Sequence, residues 1–313
     1  MKKGKGIIVN YGRLFFILIL AVLLVSSASA EINATVENET VGKATVWLDS
    51  QVKGKLNTLP IDEVALSMLA LSADNEITAE GKSVLLNKSV NGECWPSPLC
   101  KVKTTALAVL ALNRIGENTD KATAWLLDRE GSYSTAGISW LLQIDSSGVA
   151  NCTISHDSKD YKIKLNENKT YSWIGTASPC LSIIDNSYWL SIISTGNCRD
   201  KSYNIICERV TAIVERVTAI VSLPYKSQET LYVPSESFVT PPVATVEIRT
   251  RCLKEKTATA CNYEATLWGA YALMQTKKEY SLLLPYLVDL ASDNQKYMSE
   301  AFLFILTTET SHA

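Results

Sequence analysis

Eight cysteines are the most chemically explicit residues of this chain: Cys94, Cys100, Cys152, Cys180, Cys198, Cys207, Cys252 and Cys261. An even set in an exported chain reads as a disulfide framework. Eight cysteines allow about a hundred connectivities, and sequence alone selects none of them. Pairing neighbours gives 94–100, 152–180, 198–207 and 252–261, each closing a short loop. Zinc fits less well, because no Cys-x-x-Cys knuckle occurs and the cysteines are spread over three regions. A catalytic thiol would need a well-placed histidine. The chain has only His156 and His312, and His156, beside Asp157 in a turn-like stretch, is given no catalytic or pH-sensing role.

Other candidates are few. Trp95, between Cys94 and Pro96, is a candidate ligand contact; the reading preferred for it is a wedge between helical units. Asp62, in the acidic spot Ile61-Asp62-Glu63, is the second candidate contact, although a carboxylate at a helix start is favoured by the helix dipole in any case. Asn-x-Ser/Thr triplets make Asn33, Asn38, Asn87, Asn151 and Asn168 candidate glycosylation sites in an exported chain. No catalytic, cofactor-binding or metal residue is assigned, and no cofactor is expected.

Export itself is read from the start of the chain. Met1 to Arg13 is basic, Leu14 to Val25 is apolar, and Ala28-Ser29-Ala30 offers the small-x-small pattern of a signal-peptidase site. Residues 1–30 are therefore expected to be a signal peptide cleaved after Ala30. The apolar stretch is shorter than the roughly 20 residues that a bilayer core demands, and no second such stretch follows, so no transmembrane span is expected in the mature chain. With Lys2, Lys3, Lys5 and Arg13 removed, 30 − 4 = 26 basic side chains face 32 acidic ones. That mildly acidic balance excludes nucleic acid as a partner, while 47% hydrophobic and 20% charged residues mark an ordinary globular chain.

The elements that must position these residues show themselves by repetition. Lys43-Ala44-Thr45-Val46-Trp47-Leu48 recurs as Lys121-Ala122-Thr123-Ala124-Trp125-Leu126, 78 residues later, and residues 65–71 match 106–112 at a spacing of 41. Periods near 40 residues mark helical-hairpin arrays or propeller blades. Here Ile61, Val64, Ala65, Met68 and Leu69 share one helical face, as do Val102, Thr105, Ala106, Val109 and Leu110. Residues 41–130 are expected to form about five helices in antiparallel pairs, with Trp47, Trp125 and Trp268 as core anchors.

From about Ser139 the texture changes to strands: Tyr161-Lys162-Ile163-Lys164-Leu165 alternates, as do Ala244, Val246, Ile248 and Thr250, and Trp140, Trp173 and Trp189 are expected in a sandwich core. Within this region Glu208 to Val214 is duplicated without change as Glu215 to Val221. A seven-residue duplication preserves a helical face and would flip a strand, so the segment is expected to be helical despite its β-branched content. Helical texture resumes at Tyr263, echoing residues 103–112 at a spacing of 161, so that Thr266 corresponds to Thr105. The expected fold class is α+β: a partial α/α toroid over 31–138, an inserted antiparallel β-rich domain over 139–251, and a continuation of the helical repeats over 252–313.

The Trp-Leu helix, the turn Gly92-Glu93-Cys94-Trp95 and the Ala/Leu helix from Val102 together resemble the α/α-toroid repeats of the terpenoid-cyclase and protein-prenyltransferase superfamily. The closest likeness is to short secreted archaeal members with a β-insertion. The resemblance covers 41–130 and 261–307 and implies the fold more than the chemistry. The Asp-x-Asp-Asp acid of the cyclases, the zinc ligands of the prenyltransferases and the Cys–Gln thioester of related domains are all missing. The resulting expectation is a secreted or cell-surface, non-catalytic binding or adhesion protein, with an unidentified protein, glycan or lipid as partner. A polyprenyl or lipid carrier, or a cyclase-like enzyme using the toroid cavity, is one alternative; an envelope structural module is another.

Overall fold

The computed structural model describes residues 34–134, 137–193, 198, 201–209, 215–234, 237–256 and 258–308. The leader, the Ala30 cleavage site and Asn33 lie outside them. Two compact units are formed, Met1–Lys53 and Gly54–Ala313. The first carries helix α1, Ala34–Val52, on which a Glu39–Lys43 ion pair of 2.6 Å supports the helix one turn apart. Trp47 is 62% exposed, which corrects its assignment as a core anchor.

The second unit is mixed α and β, with its described strands paired antiparallel. Its helices begin with α2, Ile61–Ala70, and α3, Asn75–Asn87. Asp62 and Glu63 complement the positive end of α2, and Asp74 caps α3 by accepting from the amides of Glu76 (2.8 Å) and Ile77 (3.1 Å). The two helices approach closely at Gly81, where a Cβ would lie 2.5 Å from Met68. Helix α4, Val102–Arg114, is buried at Val102 and at every position from Thr104 to Leu112. It packs against α2, against α5 (Asp120–Leu127) and against α6 (Tyr263–Gln275). Gly116 follows α4 at φ +79°, the left-handed conformation that ends a helix at no steric cost.

The echo at 161 residues has a physical counterpart. Lys103 pairs with Glu264 at 2.6 Å and Asn113 donates to the Gln275 carbonyl at 3.2 Å, so α4 and α6 lie side by side and parallel. A short disulfide loop precedes each: Cys94–Cys100 before α4 and Cys252–Cys261 before α6. In each loop the residue after the first cysteine donates its amide to a threonine of the following helix, Trp95 to Thr105 at 3.0 Å and Leu253 to Thr266 at 2.9 Å. Both threonines are fully buried. Glu255, in the second loop, accepts from the amide of Val102 at 3.1 Å and so caps the first helix.

Between these loops lie the strands. A ribbon of β1 (Glu130–Ser132) and β15 (Arg251–Leu253), with Gly131 opposite Cys252, closes the base. One sheet is built on the long strand β2, Ile138–Ser146. Its neighbours are β7 (Trp189–Ile192), β10 (Ala219–Ser222) and β11 (Tyr225–Ser227); β6 (Leu181–Ile184), β12 (Thr230–Tyr232) and β13 (Phe238–Thr240) extend it. The other runs in the order β14 (Ala244–Glu247), β8 (Ser202–Arg209), β3 (Ala150–His156), β4 (Lys159–Leu165) and β5 (Tyr171–Ile174), with β9 (Glu215–Arg216) beside β8. Tyr171 links the sheets: its hydroxyl donates to the Ile144 carbonyl and accepts from the Ile144 amide, both at 2.8 Å. Two further helices, α7 (Leu284–Asp289) and α8 (Ser299–Thr308), follow α6.

Two expectations are corrected, and the cysteine pairing that the sequence left open is fixed. The duplicated heptad is not helical where it is described: Glu208 and Arg209 end β8, Glu215 and Arg216 form β9, and Ala219 to Ser222 form β10; residues 210–214 lie outside the description. Burial decides it, since Ala219 and Val221 face the core while Ile220 between them is 51% exposed, the alternation of a half-buried strand. Cysteine pairing in the β region is 152–207 and 180–198, not between neighbours. Register is the reason: Cys152 on β3 stands directly opposite Cys207 on β8. Trp125 and Trp268 are only half-buried, the latter edge-on to Phe302 at 4.9 Å.

Replacing Thr105 or Thr266 by valine strands a buried amide, and each change is expected to lower unfolding free energy by about 1–3 kcal/mol in urea denaturation. Thr104→Val, which removes no such acceptor, is the control. A loss confined to the control would contradict the role given to the two threonines.

Candidate functional site

Two places in the second unit bring polar or aromatic groups together. The first lies at the end of β3. Inward-facing positions alternate along this strand as Ala150, Cys152, Ile154 and His156, so His156 enters the core as the last of the row. Asp157 and Ser158, both at positive φ (52° and 58°), make a two-residue hairpin turn into β4. That turn folds the Asp157 carboxylate back onto its neighbour: Oδ2 lies 3.2 Å from His156 Nδ1. On the other side, His156 Nε2 is 2.8 Å from Ser178 Oγ. The carboxylate can only accept, so Nδ1 carries the ring proton, and Nε2 accepts from the serine hydroxyl. The Cys180 amide donates to the same serine oxygen at 3.1 Å. Tyr161 stacks on the imidazole at 4.7 Å and Tyr203 meets it edge-on at 5.3 Å.

Asp, His and Ser thus stand in the order used for acyl transfer, but their surroundings are those of a structural strut. His156 is 4% exposed and Ser178 6%, and the serine oxygen is already engaged by both the imidazole and the Cys180 amide. Lys201, 2.5 Å away, and then His156 hold the Asp157 carboxyl below the usual carboxylate range. The chain of bonds ties the segment at Ser178, next to the Cys180–Cys198 bridge, onto the β3–β4 turn.

The second place is an aromatic ladder opening into a cleft. Register sets Trp140 of β2 opposite Tyr225 of β11, and Tyr225 opposite Tyr232 of β12. The three rings follow at centroid spacings of 5.2 Å, with Tyr225 and Tyr232 stacked nearly parallel, 10° apart. Trp140 and Tyr225 are buried and Tyr232 is half-exposed, so the ladder presents its outer ring to solvent. Burial pushes the Tyr225 hydroxyl well above its ordinary value, and Trp140 Nε1 is buried with no hydrogen-bond partner among the described residues.

Around Tyr232 is a cleft of about 270 Å³, bordered by Leu231, Val233, Pro234 and Leu284. Through Ser281 it runs on into a second, of about 340 Å³, lined by Glu247, Arg249 and Glu279. A third, of about 180 Å³, shares Glu247 and Arg249 and reaches Tyr133 and Arg251. Glu247 and Arg249 form an ion pair. The band is aromatic and apolar at one end and charged at the other. Among the described residues no cluster of His, Cys, Asp and Glu is arranged to hold a metal, and no helix is long and apolar enough to cross a membrane.

The candidates read from sequence fall elsewhere. Trp95 is 1% exposed; its Nε1 donates to the Leu85 carbonyl at 2.7 Å, placing the ring against α3 and α4 rather than in either cleft. Asp62 is half-buried in the first turn of α2. All eight cysteines are consumed in four disulfides. Asn87 and Asn168 are exposed, Asn151 is half-buried within β3, and the Asn38 side chain lies outside the description. Sequence reading missed Ser178, whose partner is 22 residues away, and the ladder, whose members meet only through strand register. No protein-family model matches the chain, and no curated protein or solved structure matches it either.

Burial pushes Tyr171 and Tyr203 up to about 12, while a free phenol titrates near 10. Between those values the unfolded chain has released protons that the folded one retains, so raising the pH from about 10 to about 12 favours unfolding. Denaturation midpoints across that range should fall, with the phenolate absorbance rising in step with unfolding. Tyr203→Phe removes a buried hydroxyl that has no hydrogen-bond partner among the described residues. It is expected to leave stability at neutral pH unchanged or raised by up to about 1 kcal/mol and to shallow the alkaline fall; a clear loss at neutral pH would contradict this.

Proposed function

We propose that the protein is an exported, disulfide-stapled, non-catalytic binding protein of the cell surface or medium. In this reading its helices form a partial α/α toroid, over 31–138 and 252–313, that carries the strands of 139–251 as a recognition module. Four disulfides and the lack of a spanning helix among the described residues fit an extracellular setting. The observation that carries the reading is the aromatic ladder: three adjacent strands fix Trp140, Tyr225 and Tyr232 in register, and its outer two rings border a cleft.

A rigid half-exposed tyrosine face, continued by an Arg–Glu pair and exposed backbone, suits a ligand with a weakly polar flat side and many hydroxyls. Surface glycans have that chemistry, with C–H groups to lie on the ring and hydroxyls for Arg249 and Glu279. The His156–Ser178 chain is enclosed, which favours binding over hydrolysis. Lipid carriage is less well supported, because α4 is buried at Val102 and at every position from Thr104 to Leu112, which leaves that helix no open face for a carried chain.

Titration of envelope polysaccharide against the mature protein tests this. Tyr232→Ala is expected to cost about 1 kcal/mol, roughly a fivefold weaker Kd, and Arg249→Ala to weaken binding further without changing the unfolding midpoint. Native mass spectrometry of protein recovered from its host supplies the opposing result: a retained isoprenoid or other lipid of defined mass would overturn the glycan reading.

A further inference from the structure

We propose that Asn168, at the tip of the β4–β5 hairpin, is the asparagine that receives an N-linked glycan during export, an inference that rests on the exported location proposed above. Of the triplets whose acceptor side chain is described, this one alone combines exposure with a hydroxyl turned onto its own asparagine. Glu167, Asn168 and Lys169 are all exposed. Thr170 donates its hydroxyl to Asn168 Oδ1 at 2.7 Å and its amide to the same oxygen at 3.3 Å. The Thr170 hydroxyl in turn accepts from Asn166 Nδ2 at 3.0 Å.

These bonds hold Oδ1 inside the turn and leave Nδ2 without a partner among the described residues. The turn is also braced from below, since Lys169 reaches back to Asp145 at 2.7 Å and to the Ser146 carbonyl. Two donors on Oδ1 draw electron density from the amide, which makes a proton on Nδ2 easier to remove. That matters because an amide nitrogen is otherwise a poor nucleophile. Its donor would be a polyprenyl-phosphate-linked or polyprenyl-diphosphate-linked oligosaccharide. In the transfer Nδ2 forms a bond to C1 of the sugar and loses one proton to a base of the transferase. The C1–O bond to phosphate breaks, and the phosphate leaves with the electron pair. Nothing is oxidised or reduced.

The other described triplets are differently engaged. At Asn87, the last residue of α3, the partner Ser89 hydroxyl donates to the Leu86 carbonyl at 2.8 Å and accepts from the Gly92 amide at 3.0 Å, away from the asparagine. Asn151 lies within β3, paired on one side with Lys164 and on the other with Glu208, and its neighbour Cys152 is in a disulfide. A transferase must reach its acceptor in an accessible loop, which a strand flanked on both sides does not provide.

The test is expression of the full chain in an export-competent host that glycosylates asparagine, followed by intact-mass and glycopeptide analysis. Asn168→Gln and Thr170→Val are each expected to abolish a single glycan mass. Thr170→Ser should retain it, and Asn87→Gln and Asn151→Gln should leave it unchanged. A chain beginning at Glu31, eight hydrogens lighter for its four disulfides, yet bare at Asn168 or still glycosylated in Asn168→Gln, would overturn the assignment alone. A chain that keeps its leader and reduced cysteines would instead overturn the export on which the assignment rests.

Discussion

A buried threonine hydroxyl that accepts a loop amide, repeated at Thr105 and Thr266, is the interaction on which the second unit turns. Each loop leaves its first cysteine, gives one amide to the threonine, and re-enters the helix two residues after its second cysteine. With the hydroxyl in place the loop's polar backbone can be buried against an apolar helix; without it, a desolvated N–H would cost about 1–3 kcal/mol. The disulfide then narrows the unfolded ensemble of a loop whose folded shape is already satisfied. Neither device does the other's work.

The loops also depend on one another. Glu255 belongs to the loop before α6 yet supplies the carboxylate at the start of α4. The Lys103–Glu264 pair and the Asn113–Gln275 bond tie the same two helices along their length. More than a hundred residues of strand separate them in sequence, but a β1–β15 ribbon brings the ends of that excursion together, with Gly131 opposite Cys252. An insertion placed there disturbs the helices little, because its entry and exit are adjacent strands.

What was legible in the sequence was local. Helical periodicity located α2 and α4, the echo at 161 residues located α6, and the correspondence of Thr105 with Thr266 was visible before its hydrogen bonds were. Alternation found β4 and β14. The failures in the strand region share one cause, dependence on register between distant strands. Cys152 pairs with Cys207 because β3 and β8 align them; no property of either neighbourhood distinguishes that partner from Cys180. The duplicated heptad satisfies a helical stripe, but Ile220 and Val221 sit in a strand whose neighbours, β2 and β13, are supplied from elsewhere in the chain. Trp47 and Trp125 recur at a helical spacing, which shows that a unit is repeated and not which of its faces is covered.

The same dependence separates the two candidate sites. His156 and Asp157 are neighbours in sequence, and Ser178 completes a chain with the order of a hydrolase triad. Such a chain performs chemistry only if the serine can meet a substrate and a neighbouring set of donors can receive developing charge. Here the Cys180 amide, the one donor at the serine, is spent on the serine oxygen itself, and the imidazole is enclosed between Tyr161 and Tyr203. Satisfied polar groups in a core give a strand end one fixed position. The ladder from Trp140 to Tyr232 is the converse case: each ring covers the next, and the last is left partly uncovered beside charged groups that are not enclosed. An aromatic face held rigid by its own stack loses little entropy when something is laid upon it. That asymmetry, enclosed polar groups at one place and a partly uncovered aromatic face at the other, is the contrast on which the proposal of a binding role rests.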